Sequence, residues 1–477
     1  MRTRSVGSAG LWMVLLLAAA TTLHSLCGCE GSRVPEARIR RAPPPVQLVV
    51  VTPHSEVIRE DFERGFSEWH VRHHGSPVDI RWIARGTPQC VAYVAEAAAD
   101  SESMSNRLVP DLMFGGGVTE HRLLAEGGLA QALPEPLPPE LATPKQLLGV
   151  PLVDDNRYWH ATALSSFGIM YNKEMIAQRG RALPRTWADL ADPAYFGWVA
   201  VADPTRSGSN RFCFGLILQR HGWERGWGLI LRMAANARVL LPASGDVIRD
   251  VASGMCLAGL SVNFSALREI ALQGDDRLGF VAPKDATAIT PDIITILNYA
   301  AAPEVANRFL RYCLSDEGQA LWGARGGLSD ADADADAEVE LGEGAVAQTL
   351  FRYPARPAAY QQLAGRLAVA DNPFEGKTDF VFDVDREAKQ AKIVAPLLLA
   401  ACGENHLLLQ RAWQALIDAN LPEQALAELT TPPFDEQTAY ELGVRYERGG
   451  QEAQALAAEW SAKFKAKYQK VLELAGQ

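Results

Sequence analysis

Between Val46 and Gly117 short apolar runs alternate with segments of helical period, and this alternation constrains the fold of the 477-residue chain more than any other feature. VQLVVVTP is apolar on consecutive residues, as a strand buried on both faces must be. SEVIREDFERGFSEWH then places apolar residues at helical spacing with acids early. VDIRWIA reads as a second strand, VAYVAEAAAD as a helix, and DLMFGGG as a short strand running into glycines. Such a β-α-β-α-β order implies a parallel sheet covered by helices. Ligands in these sheets bind beyond the carboxyl ends of the strands. That rule places Thr52, Pro53, His54, Ser55, Gly86, Thr87, Gly115, Gly116 and Gly117 along one rim.

A proline-rich crossover, LPEPLPPELATP, separates this unit from GVPLVDDNRYWHATALSSFGIMYNKEMI, whose long strand-like part ends at Tyr171-Asn172. A second α/β unit begins in TWADLADPAYFGWVAVADPTRSGSN. Within it, VAVADPTRSGSN reads as strand, tight turn and helix start, so free N–H groups, a helix dipole and the hydroxyls of Thr205, Ser207 and Ser209 gather at one place. LGFVAPKDATAITPDIITILN is expected to be another extended crossover. PEVANRFLRYCLSDEGQALWG is expected to be one helix packed back on the first unit. Two α/β lobes joined by crossovers enclose a hinged cleft. The expected division is lobe 1 over 47–135 and 275–326, lobe 2 with the crossovers over 136–274, an acidic low-complexity loop over 327–345 and a mainly helical extension over 346–477. In the loop, Asp332, Asp334, Asp336 and Glu343 match a calcium-loop spacing, but Ala337 stands where the sharp turn needs glycine, so a solvated loop is expected.

The N-terminus carries MRTR, then AGLWMVLLLAAATTL, then LCGC, the order of a secretory signal peptide. Leu26-Cys27-Gly28-Cys29 resembles a bacterial lipobox, with Cys29 as the lipid-attachment residue after cleavage of a signal ending there. The polar, proline-rich segment 30–46 reads as a flexible tether. Cys90, Cys213, Cys256, Cys313 and Cys402 remain, an odd number that leaves at least one thiol unpaired. A Cys213–Cys256 disulfide is one alternative, and five buried apolar cysteines are the expectation. With a net charge of −11 and no basic patch interleaved with aromatics, the chain is a poor binder of nucleic acid. Phosphate-loop, serine-hydrolase and zinc-protease signatures are missing from the sequence, so no catalytic residue, no cofactor and no metal site is expected.

In VVVTPHSEVIREDFERGF, PDLMFGGG, ALSSFGIMYNKEMI, RTWADLADPAYFGWVAVADPTRSGS, SGDVIRDVASG and PEVANRFLRYCLSDEGQALW, taken in this order over roughly residues 46 to 385, the chain resembles a bacterial extracellular solute-binding protein of an ABC transporter. The branch it resembles includes ferric-ion, phosphonate, polyamine and thiamine binders. The resemblance implies a two-lobed periplasmic-binding-protein fold of type II, working as a lipid-anchored monomer outside the plasma membrane. Its implied partners are a small-molecule solute and an ABC permease.

Ferric-ion members of this family use a histidine after the first strand, an acid after the third and a pair of tyrosines on the second lobe. His54 matches the histidine position. Asn263-Phe264 stands where the tyrosines would be, and glycines stand where the acid would be. Anion capture therefore fits better, with Thr87, Gly116, Ser165, Ser166, Thr205, Ser207, Ser209, Ser244 and Gly245 as ligand-binding candidates and His54 as the ligand if the solute is ferric ion. Each hydroxyl has an alternative role as a cap of its own helix. A secreted enzyme on the same fold, which would need a catalytic group in the cleft, and a lipid-anchored sensor or adaptor are the other open classes.

Overall fold

A computed structural model of the protein describes residues 44–99, 108–283, 286–326, 343–369, 371–376 and 380–476. The expected signal peptide, the Cys29 attachment site, nearly all of the tether and most of the acidic loop lie outside these residues.

The first unit runs β1 (Val46–Thr52), α1 (Glu56–His74), β2 (Val78–Ala84), α2 (Thr87–Ala99), β3 (Leu112–Phe114) and α3 (Val118–Glu126). β1 is parallel to both neighbours, with Val50 opposite Trp82 of β2 and Val51 opposite Met113 of β3. Leu48, Val50 and Val51 are fully buried because helices cover both faces. Helix α1 turns Ile58, Phe62, Phe66 and His70 inward at the three-to-four-residue spacing read from the sequence.

A short hairpin, β4 (Gln146–Leu147) and β5 (Val150–Pro151), leads to β6 (Trp159–Asn172), which spans 14 residues. Then come α4 (Lys173–Gln178), β7 (Val199–Ala202), α5 (Gly208–His221), α6 (Trp223–Asn236), β8 (Ala237–Leu241), α7 (Ser244–Ala252), β9 (Ala258–Val262), α8 (Asn263–Gln273) and β10 (Leu278–Val281). β11 (Ile289–Ile296), α9 (Pro303–Leu314), α10 (Asp316–Gly323), α11 (Glu343–Gln348), β12 (Tyr353–Pro354) and α12 (Pro357–Gln362) follow. The extension consists of α13 (Val384–Cys402), α14 (His406–Asp418), α15 (Glu423–Thr430), α16 (Glu436–Glu447) and α17 (Gly450–Leu474).

Strand order is β2-β1-β3-β11-β6-β9-β7-β8, with β10 and β12 also paired to β6. β6 joins two half-sheets. Its residues Trp159 to Ser166 pair antiparallel with β11, and Phe167 to Tyr171 pair antiparallel with β9. Beyond β9 the strands are again parallel. The result is the two-lobed α/β architecture of a periplasmic binding protein, with α2, α3, α5 and α8 all starting near the seam.

Two features differ from the sequence reading. The expected single helix over 303–323 is broken at Ser315, which takes an extended backbone while its hydroxyl accepts from Gly318 N and starts α10 afresh. The segment after the acidic loop, read as the beginning of the helical extension, returns first to the sheet: Tyr353 and Pro354 pair with Leu164 and Ala163 of β6. The five described cysteines are free and buried, in line with the expectation. Among the described residues no single helix is long and apolar enough to cross a membrane.

The extension does not form a core of its own. Ile393, Leu397, Trp413, Trp460, Phe464 and Tyr468 belong to the same apolar cluster as Val199, Val201, Leu216 and Trp227 of the second lobe. Trp413 Nε1 donates to Asn236 Oδ1 at 2.7 Å, and Trp223 Nε1 donates to Phe434 O at 2.7 Å. Replacing Trp413 with Ala is expected to cost about 3–5 kcal/mol. Because the core is shared, calorimetry should find the second lobe and the extension melting together at the lower temperature, not an early transition for the extension alone.

Candidate functional site

The rim of the first lobe is built where β1 and β3 end. Thr52 Oγ1 donates to Phe114 O at 2.6 Å, and His54 N donates to Thr52 Oγ1 at 3.1 Å, so the two strand ends are tied together. Gly115 and Gly116 follow with φ of 100° and 105°, backbone that L side chains rarely adopt. A Cβ on Gly115 would lie 2.7 Å from the His54 ring, and one on Gly116 would lie 2.9 Å from Thr87 Cγ2. The glycines thus let the backbone pass against His54 and Thr87, and they bring the starts of α2 and α3 together. His121 Nε2 donates to Gly115 O at 3.1 Å, and its Nδ1 accepts from Thr295 Oγ1 at 2.7 Å.

At the seam lies a charged centre whose pairing the sequence does not display. Asp292 sits at a bulge in β11, where the register with β6 shifts. Its Oδ1 accepts from Gly116 N at 3.0 Å, its Oδ2 lies 3.3 Å from His54 Nε2, and the same oxygen is ion-paired with Arg352. Arg352 Nη1 also donates to Ser165 Oγ at 3.2 Å, and its guanidinium lies 3.9 Å from the Phe264 ring centroid. All three side chains are buried. Burial by itself would raise the Asp292 carboxyl, but Arg352, His54 and the Gly116 N–H hold it well below the usual carboxylate range. Burial outweighs Asp292 at His54 and lowers its pKa. Nearby, Ser166 N donates to Asn263 Oδ1 at 3.0 Å, fixing the start of α8.

The rim of the second lobe lies at the carboxyl ends of β7 and β8. Ser207 Oγ accepts from Asn210 N at 3.2 Å, capping α5, and lies 3.3 Å from Ser209 Oγ. Asn210 Oδ1 accepts from Ala202 N at 2.9 Å, so the helix start is pinned to β7. Thr205 is turned into the preceding turn, where both its N and Oγ1 donate to Asp203 Oδ1. At α7, Ala243 N donates to the Asp246 carboxylate at 3.0 Å. Ser244 and Gly245 therefore stand at a helix start that already holds a negative charge.

The first turns of α3 and α5 meet across the cleft, with Glu120 Oε1 and Arg211 Nη2 3.8 Å apart. His54, Thr87, Gly116, Ser165 and Ser166 are thus gathered around the seam, and Ser207 and Ser209 stand on the facing helix. Thr205 is engaged with Asp203, and Ser244 and Gly245 stand at the α7 start beside the Asp246 carboxylate. Asp292, Asn263, Phe264, Arg352 and Glu387 join the site without having been singled out as ligand positions. A lone acid in the apolar run PDIITIL was a signal for Asp292, since an unpaired buried carboxylate is costly. Arg352 gave none, lying 60 residues away in sequence.

The family model described as "Bacterial extracellular solute-binding protein" matches residues 111–349. That is half of the chain, and the chain belongs to this family, one of binding proteins and not of enzymes. The phosphoglycerate transport regulatory protein PgtC of Salmonella typhimurium is 30% identical over 162 residues, which are 34% of this chain and 40% of that protein. The match thus spans about two fifths of this relative. An uncharacterized protein of Haemophilus influenzae is 24% identical over 278 residues, 58% of this chain and 75% of that one. Among solved structures, the periplasmic binding protein AfuA of Actinobacillus pleuropneumoniae, with fructose-6-phosphate bound, superposes with a TM-score of 0.53 at 17% identity. It covers 80% of this chain and 100% of that one. Iron-bound HitA of Pseudomonas aeruginosa has a TM-score of 0.53 at 18% identity, covering 77% and 99%. These likenesses establish the fold.

Breaking the buried pair from one side leaves a charge without a partner. Asp292→Asn is expected to cost about 3–5 kcal/mol, whereas the double variant Asp292→Asn with Arg352→Met recovers much of that loss, and a double-mutant cycle by urea unfolding measures the difference. Burial also pushes the His121 pKa down to about 4. The folded value lies below the unfolded value of about 6.5, so the stability held by neutral His121 is complete above that pH and is lost as pH falls from 6.5 towards 4. His121→Gln should flatten the slope of stability against pH in this window by up to one proton.

Proposed function

We propose that the protein captures a small anionic solute, a phosphonate, phosphate ester or carboxylate, in the periplasm or another extracytoplasmic space and delivers it to an ABC permease. In this reading it is a monomer tethered to the membrane through a lipid on Cys29, a residue outside those described. The observation that carries the reading is the meeting of α3 and α5 across the cleft. It brings the start of α3 at Gly117 close to the hydroxyls of Ser207 and Ser209 at the start of α5, while Gly116 N is already given to Asp292. Helix starts present unpaired N–H groups and the positive end of a dipole, a combination suited to anions.

A ferric ion fits these residues less well. A hard trivalent cation needs several anionic oxygens. Here the guanidinium of Arg352 is ion-paired to Asp292 beside His54, and Asn263-Phe264 supplies no phenolate. Fold alone does not choose, since one structural neighbour holds a sugar phosphate and another holds iron. The name of the Salmonella relative, for phosphoglycerate transport, agrees with an anion. A sensor or adaptor role is the second reading. It is favoured by the extension docked on the second lobe, which offers a partner a surface beyond the two lobes.

A thermal-shift screen of the protein against phosphoglycerates, sugar phosphates, phosphonates, dicarboxylates and ferric citrate tests the proposal. A ligand at a thousandfold excess over its Kd stabilises by about 4 kcal/mol, well within reach. The expected result is a shift with one anionic class that Ser209→Ala weakens by about tenfold in Kd, the scale of one hydrogen bond to a charged group. Ser209 is the cleaner position, because Ser207→Ala also removes a helix cap worth about 1 kcal/mol. A response to iron alone would sink the anion reading, and no response to any solute would move weight to the sensor.

A further inference from the structure

We infer that the start of α13 is a third wall of the cleft, and that Glu387 on it latches the first lobe against the second through the Thr119 hydroxyl. The use made of the latch by a solute rests on the solute-binding reading above; the latch itself does not.

The start of α13 is fastened to the second lobe. Phe382 is buried with its ring centroid 5.0 Å from that of Phe212 on α5, which in turn lies 4.4 Å from Phe167 on β6. Asp383 and Gln219 exchange two hydrogen bonds, each 2.9 Å: Asp383 N donates to Gln219 Oε1, and Gln219 Nε2 donates to Asp383 O. From this anchored position two acids reach over to α3 of the first lobe. Glu387 Oε2 accepts from Thr119 Oγ1 at 2.5 Å, and Asp385 Oδ1 accepts from Arg122 Nη1 at 2.5 Å.

The two contacts differ in strength. Side-chain exposures of 36% and 78% leave the Arg122–Asp385 pair in solvent, where it contributes little. Glu387 is half-buried, and burial raises its carboxyl above the usual range. Its hydrogen bond with Thr119 therefore holds the lobes together, but against the cost of withholding a carboxylate from water. Thr119 lies two residues beyond Gly117, on the first turn of α3. An anion arriving there meets the negative charge of Glu387, and the two compete for one helix start. The extension is in this way part of the solute-binding machinery, although it lies outside the matched span of the family.

The test uses the full chain with spin labels on cysteines introduced at Glu126 on α3 and Glu441 on α16, both exposed. Without any solute, Glu387→Ala is expected to move the inter-label distance to longer values and to raise the open-to-closed ratio about tenfold, the scale of a hydrogen bond to a charged group. Thr119→Val, which removes the other partner, should reproduce the change, whereas Arg122→Ala should leave the distances nearly as they are. Circular dichroism confirms that each variant is folded, and Thr119→Val carries the test should Glu387→Ala not fold. Unchanged distances in both folded variants, or opening by Arg122→Ala as large as by Glu387→Ala, would overturn the latch. The readout needs no ligand, so a failed solute screen leaves the latch standing, and a failed latch leaves the solute reading intact.

Discussion

The carboxylate of Asp292 is the point at which the separate parts of the molecule are made to agree. Gly116 N belongs to the loop after β3, His54 to the loop after β1, and Arg352 to a segment that arrives only after the acidic loop, yet all three converge on it. A buried carboxylate is tolerated only when its charge and lone pairs are matched. That requirement fixes the positions of two rim loops and draws residues near Arg352 back onto β6. Arg352 then reaches Ser165 and the face of Phe264, so the same centre sets the crossover strand and the start of α8.

Around this centre the sheet supplies the geometry that brings helix starts together. Parallel strands deliver their helices to one end, and β6, shared between two half-sheets, turns those ends towards each other. Glycines at 115 and 116 remove the side chains that would otherwise fill the space against His54 and Thr87. The C-terminal helices share the apolar core of the second lobe and send Glu387 back towards the first.

Much of the scaffold was legible in the residues. Continuous apolar runs and helical spacing located β1, α1, β2 and the strand-turn-helix at Ser207, because burial on both strand faces and on one helix face leaves a local imprint. Ser315 was not legible as a break, since a serine inside an otherwise helical pattern caps a new helix only when the neighbouring packing turns the chain there. Hydroxyls at Thr205, Ser207 and Ser244 were visible as candidates, but their partners were not. Asp203 and Asp246 decide that two of these helix and turn starts are already engaged.

The sequence by itself determined the α/β class, the order of the two units, the five buried cysteines and the hydroxyl-bearing turns. All of these follow from interactions within a dozen residues or from average burial. Only the tertiary structure decided which hydroxyls lie near the seam, that Asp292 and Arg352 neutralise each other beside His54, and that Glu387 meets Thr119 across 268 residues of chain. Pairing of buried charges depends on three-dimensional distance and desolvation, and neither leaves a periodic trace along the chain.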